Sequence, residues 1–141
     1  MKIYVGCALN KAPQGFRDFV ANFKRELGNE PNVEVLEFIG LVAGTATDVY
    51  RHDFAQVRGC DAMLAFCDEP SIGLGMEIRE AIHCKKPILC LHRSGTPITR
   101  MLIGAQEAGD LAIDTYADTE SALDVVRTFL ARAITAPGDL S

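Results

Sequence analysis

The sequence predicts an α/β fold: one doubly wound, five-stranded parallel sheet in a three-layer α/β/α sandwich. Three observations carry this. Short apolar runs alternate with helix-like segments from end to end of the 141 residues, as βα units do. The run Ala62-Met63-Leu64-Ala65-Phe66 is almost wholly apolar, as a central parallel strand covered on both faces must be. Right-handed crossovers then leave few ways to connect five β/α pairs. One domain is expected over residues 1–134, with 135–141 as a tail.

Ile3-Tyr4-Val5 opens the chain as a strand that ends at Gly6. Phe16, Val20, Phe23 and Leu27 follow at helical spacing, and Gly28-Asn29 supplies a stop. Val33 to Leu36 reads as the second strand. Residues 39–47, IGLVAGTAT, read as a loop, after which Thr47 or Asp48 caps a helix through Arg58. The third strand is 62–66, and PSIGLGMEIREAI, residues 70–82, forms the third helix. Pro87 to Leu91 is the fourth strand. A helix from about Thr96 to Ala108 precedes a short strand near Leu111 to Asp114. The last helix, Thr119 to Ile134, carries Leu123, Val126, Phe129 and Leu130 on one side. A flavodoxin-like strand order 2-1-3-4-5 fits these pairs best.

Bulk composition narrows the function classes. Apolar residues make up 48% and charged residues 23%, the balance of a globular chain. The net charge of -5 argues against a nucleic-acid partner, whose backbone demands clustered cations. After Met1-Lys2 the apolar run is short and ends at Asn10-Lys11, unlike a secretion leader. No stretch approaches the ~20 apolar residues of a membrane helix. Cys7, Cys60, Cys67, Cys84 and Cys90 are odd in number and lack CxxC spacing. They read as reduced thiols in a cytoplasmic protein, with no metal and no cofactor expected.

Ligands of such sheets bind at the carboxyl ends of the strands, beside the topological switch point. That gathers Gly6 to Leu9, Cys67 to Glu77 and Leu91 to Thr99 around one crevice. Glycine in a helix costs up to about 1 kcal/mol relative to alanine, yet Gly73 and Gly75 both stand in the first turns after Ser71. Two readings are open. A helix N-terminus lined by small residues can hold a phosphate through free N–H groups and the helix dipole. Alternatively, Ser71 merely caps the helix and the glycines ease packing. Glu77, in the second turn, is either a dipole-friendly surface acid or one of two carboxylates on the crevice. Asp53, on the preceding helix, is the second. Paired carboxylates suit glycosyl chemistry, one as nucleophile and one as acid. His52, His83 and His92 make no catalytic triad.

The segment DVYRHDFAQVRGCDAMLAFCDEPSIGLGMEIREAIHCKKPILCL resembles the core of the nucleoside 2-deoxyribosyltransferase superfamily. The shared elements are an N/H-D-hydrophobic helix, a CDA strand start, the G-x-G-[MY]-E turn, and a KP before an apolar strand. EPSIGLGMEI, ILCLHR and ITRMLIGA more resemble the 2′-deoxynucleoside 5′-phosphate N-hydrolase branch. The similarity runs from about residue 2 to residue 130, specific in the middle and loose at both ends.

That resemblance implies catalytic roles for Glu77 and Asp53. Glu77 is the nucleophile that attacks the anomeric carbon, and Asp53 protonates the leaving base or holds the sugar. Gly6, Cys7, Ser71, Gly73, Gly75 and Thr99 are the implied substrate-binding residues. Ser71 stands where the transferases usually carry Asp, which favours a nucleotide over a nucleoside. Thr99 matches a serine that reaches the phosphate from a neighbouring subunit, which implies a homodimer with a shared site. The chain departs from the hydrolases at the first loop, where Cys7 and Leu9 replace a serine and an arginine that help bind phosphate. Lys11 and Arg100 are the candidate substitutes. A tyrosine near the sugar is replaced by Ile3, with Tyr4 adjacent. The implied activity is hydrolysis of (2′-deoxy)nucleoside 5′-monophosphates through a glycosyl-Glu intermediate. Base transfer between deoxynucleosides, and nucleotide binding without turnover, are the alternatives.

Overall fold

The computed structural model describes residues 1–36 and 44–135. The elements are β1 (Lys2–Cys7), α1 (Gln14–Gly28), β2 (Glu34–Leu36), α2 (Ala46–Gly59), β3 (Ala62–Phe66), α3 (Ile72–His83), β4 (Ile88–Arg93), α4 (Arg100–Glu107), β5 (Ala112–Tyr116) and α5 (Thr119–Thr135). All five strands are parallel, in the order β2-β1-β3-β4-β5. The expected fold and strand order are therefore present.

Alternation along the strands divides the core into two layers. Ile3, Val5, Leu64, Phe66, Leu89 and Leu91 face α1 and α5, joining Val20, Phe23, Leu27, Val126 and Leu130. Phe66 anchors this layer, edge-on to Phe19, Phe23 and Tyr116. Tyr4, Met63, Ala65, Ile88 and Cys90 face the other way, against Val57, Leu74, Ile78 and Ala81.

Several boundaries differ from expectation for local reasons. α2 is capped by Thr45, not by Thr47 or Asp48. The Thr45 hydroxyl accepts the Asp48 N–H at 3.2 Å, and Asp48 Oδ2 accepts the Thr45 N–H at 3.0 Å. This reciprocal capping box uses Asp48 as its third residue rather than its cap. α4 begins at Arg100 rather than near Thr96. Pro97 disfavours helical backbone at Thr96, and the Thr99 hydroxyl caps the helix by accepting the Met101 N–H. β4 continues through His92 to Arg93, so His92 lies within the strand rather than after it. β5 runs to Tyr116, two residues beyond the expected end. The expected loop over residues 39–43 and the tail beyond 135 lie outside the described residues. Among the described residues no helix is long and apolar enough to cross a membrane.

Gly6 leaves room for α3 to pack against the sheet. A Cβ built there would stand 2.8 Å from Leu74 Cδ1, so the missing side chain is the space that Leu74 fills.

Candidate active site

The C-terminal end of β1 and the facing turns of α2 and α3 enclose a cleft of about 230 Å3. It is lined by Cys7, Leu9 and Asn10 after β1, by Val49, Tyr50, Asp53 and Phe54 of α2, and by Ser71, Gly73, Leu74, Met76 and Glu77 of α3. Its walls are largely apolar, with two carboxylates converging from different helices.

Glu77 is 9% exposed, a level at which a carboxylate needs a partner. Tyr4 supplies one, its hydroxyl donating to Glu77 Oε2. Burial pushes the Glu77 carboxyl up to about 7, against the Tyr4 hydrogen bond, which pulls it down. The nearby Asp53 carboxylate adds to the rise and Lys24 opposes it. Burial and the Glu77 charge hold the Tyr4 phenol far above its usual range, so it remains a proton donor. Burial likewise pushes the Cys7 thiol up to about 11, which leaves a neutral group beside the first loop.

Ser71 caps α3, its hydroxyl accepting the Leu74 N–H at 3.2 Å. The first N–H groups of a helix lack carbonyl partners within it and carry the positive end of its dipole. Ser71 and Gly73, at this helix start, both line the cleft. The turn before Ser71 is tied across the sheet. Asp68 Oδ1 accepts the Arg93 N–H at 2.6 Å, and Asp68 Oδ2 accepts the Tyr116 hydroxyl at 2.9 Å. The Tyr116 ring stacks on Phe19, with centroids 4.9 Å apart, and the Arg93 guanidinium lies over both rings.

Of the residues expected from sequence, Cys7, Asp53, Ser71, Gly73 and Glu77 meet in this cleft. Gly6 does not line it and serves the α3 packing described above. Gly75 also lies outside the lining, exposed on α3 with open space where a Cβ would stand. Thr99 is exposed at the start of α4 and is not part of the lining. Lys11 and Arg100, the candidate substitutes for the missing arginine, are exposed and do not line it either. The tyrosine hydroxyl that reaches Glu77 is that of Tyr4, adjacent to Ile3. Ile3 faces the opposite core layer, and one step along a strand reverses the face. Tyr50, Phe54 and Met76 escaped the sequence reading. The i, i+3, i+4 spacing of Tyr50, Asp53 and Phe54 on one helical face was their available signal.

Comparison with known proteins follows the same lines. No family model matches the chain. A 5-hydroxymethyl-dUMP N-hydrolase of Mus musculus is 35% identical over 80 residues, spanning 55% of this chain and 46% of that protein. The protein of the same name from Branchiostoma floridae is 31% identical over 93 residues, spanning 61% of this chain and 89% of that protein. The chain thus matches about half the length of the first relative and most of the second. Among solved structures, a Clostridium botulinum CMP N-glycosidase superposes with a TM-score of 0.60 at 19% identity, covering 88% of this chain and 98% of that one. A Leishmania mexicana 2-deoxyribosyltransferase gives 0.58 at 20% identity, covering 84% and 81%. These two likenesses show the fold.

Proposed function

The chain belongs to the 2′-deoxynucleoside 5′-phosphate N-hydrolase branch of the nucleoside 2-deoxyribosyltransferase superfamily, and from that premise we propose that it hydrolyses the N-glycosidic bond of 2′-deoxynucleoside 5′-monophosphates. The products are the free base and 2-deoxyribose 5-phosphate. The observation that carries this reading is the buried Glu77, held by Tyr4 and facing Asp53 in one cleft that ends at the start of α3.

Glu77 attacks C1′ as the C1′–N bond breaks. The electron pair of that bond passes to the base nitrogen, which takes a proton from Asp53. Water then adds to C1′ of the glycosyl-enzyme, frees the Glu77 carboxylate and returns a proton to Asp53. Tyr4 keeps Glu77 in position and steadies its charge. The apolar walls exclude water while the bond breaks. The decisive experiment incubates the purified protein with a panel of nucleosides and their 5′-monophosphates. Free base and sugar phosphate are then measured. Binding without turnover across the panel would sink the enzymatic reading.

The 5′-phosphate is assigned to Ser71 and the N–H groups around Gly73. Neutral Cys7 and Leu9 offer no charge, so monophosphates are bound more weakly than by relatives with an arginine, yet are still preferred to nucleosides. One charge-assisted contact is worth about tenfold or more, so Ser71→Ala is expected to reduce the ratio of kcat/KM for monophosphate over nucleoside by about tenfold. The ratio is the readout because loss of the cap also costs about 1 kcal/mol of stability. A better rate on nucleosides than on monophosphates would move base transfer ahead.

We assign the working form as a homodimer in which Thr99 of one protomer completes its partner's phosphate site. Ile72 is 87% exposed and Met101 82%, with Met76 and Ile103 also open, and an apolar surface of this kind favours a protein partner. Sedimentation at micromolar concentration is expected to give a dimer; monomer alone would refute the shared site. Cys7, Cys60, Cys67, Cys84 and Cys90 are all unpaired, which supports a reducing, cytoplasmic setting.

A further inference from the structure

α2 carries a side-chain relay that ends on Asp53. His52 Nδ1 lies 3.1 Å from Asp53 Oδ1, and Gln56 Nε2 lies 3.4 Å from His52 Nε2. An amide nitrogen donates only, so Nε2 is the acceptor of the imidazole and Nδ1 carries its proton. Nδ1–H therefore donates to Oδ1. The His52 side chain is 37% exposed and that of Asp53 15%, which puts the ring at the rim and the carboxyl inside.

We propose that His52 is a positioning residue for Asp53: its Nδ1–H holds Oδ1, turns Oδ2 toward the leaving base, and stabilises the carboxylate that forms when the proton departs. The proposal rests on the reading of Asp53 as the acid. As the C1′–N bond breaks, its electron pair goes to the base nitrogen, and the proton leaves Oδ2 for that nitrogen. Negative charge then spreads over both Asp53 oxygens, and the contact at Oδ1 becomes charge-assisted. An interaction stronger after proton transfer than before raises kcat and leaves KM alone. Gln56 completes the relay by selecting the tautomer.

The test compares two substrates on the full-length protein. One is a 2′-deoxynucleoside 5′-monophosphate. The other is 2-deoxyribose 5-phosphate carrying 4-nitrophenolate, a leaving group that needs no proton. Losing a hydrogen bond to a forming charge is worth about ten- to thirtyfold, so His52→Leu is expected to lower kcat on the nucleotide by that factor, with KM within about twofold. On the nitrophenyl substrate the loss stays below about threefold. His52→Asn keeps an N–H donor close to where Nδ1 stands and is expected to restore kcat to within about threefold of wild type. An unchanged kcat for His52→Leu, an equal loss on both substrates, or an Asn variant as impaired as the Leu variant would each overturn the proposal. Asp53→Asn separates the two levels. If it retains base release, the acid assignment falls and the proposal with it. If it loses base release while His52→Leu does not, only the role of His52 is refuted. Circular dichroism and Tm of each variant establish that it is folded.

Discussion

Glu77→Gln is expected to abolish base release and, at pH 8, to make the protein more stable than wild type. An amide cannot form the glycosyl-enzyme, and removing a covalent nucleophile costs about 10⁴-fold or more in kcat. Glu77→Ala is expected to lose as much, and a 2′-fluoro substrate analogue to accumulate as a covalent adduct on the wild-type protein alone. The stability effect follows from burial. The Glu77 carboxyl is raised from 4.5 in the unfolded chain to about 7 in the fold. Below pH 4.5 it is protonated in both states and carries no penalty. Its favourable contribution is lost as pH rises to about 7, above which an ionised carboxylate must stay buried. Gln carries no such charge and still accepts from Tyr4. The advantage of the variant therefore grows between pH 4.5 and 7 and then levels off at about 3 kcal/mol. Thermal melts of both proteins at pH 5 and pH 8 measure it. The same titration makes wild-type kcat/KM climb with pH through about 7. A Tm difference that does not change with pH, or a Gln variant with substantial turnover, would remove Glu77 from its assigned role.

Asp53→Asn is expected to lower the rate on natural bases by about 10²- to 10⁴-fold, the range for a general acid. On a 4-nitrophenyl leaving group the loss shrinks to a small factor, because that anion departs without a proton. Steady-state rates on both substrates decide the point. Equal losses would make Asp53 a sugar ligand instead, consistent with its place on the cleft wall. The two carboxylates also differ in setting, which suits different tasks. Glu77 is buried and held from below by Tyr4, whereas Asp53 lies beside the more exposed His52.

How legible was this site in the sequence? The apolar runs of β3 and β4 read as buried parallel strands, because covering a strand on both faces leaves no polar positions. That pattern placed the crevice, and the crevice drew in Ser71, Gly73 and Glu77. Sequence spacing did not reveal contacts across elements. Tyr4 and Glu77 are 73 residues apart, and only the β1–β3 register brings the phenol beneath α3. A parity argument along β1 could have chosen Tyr4 over Ile3, since Ile3, Val5 and Cys7 share one face. The glycines are ambiguous for the opposite reason. The resemblance implies that Gly6 binds substrate, and the group that comes close to it in the fold is Leu74. A glycine announces that something comes near; it does not say what. Helix starts were displaced where a proline or a reciprocal cap, rather than apolar spacing, determines the boundary.

The seat of Leu74 over Gly6 has a consequence for substrate shape. It seats α3 on β1, and α3 runs from its cap Ser71, to which the phosphate is assigned above, to the carboxylate of Glu77. Six residues separate them, which at about 1.5 Å per residue is roughly 9 Å of helix axis. Neither end can shift without the other. On the proposed assignment the helix acts as a ruler, laid against the sugar with the phosphate at one mark and the anomeric carbon at the other. A furanose 5-phosphate is then expected to be cleaved in preference to its 3-phosphate isomer. Discrimination between phosphate isomers would then rest on the length of one helix rather than on any single contact.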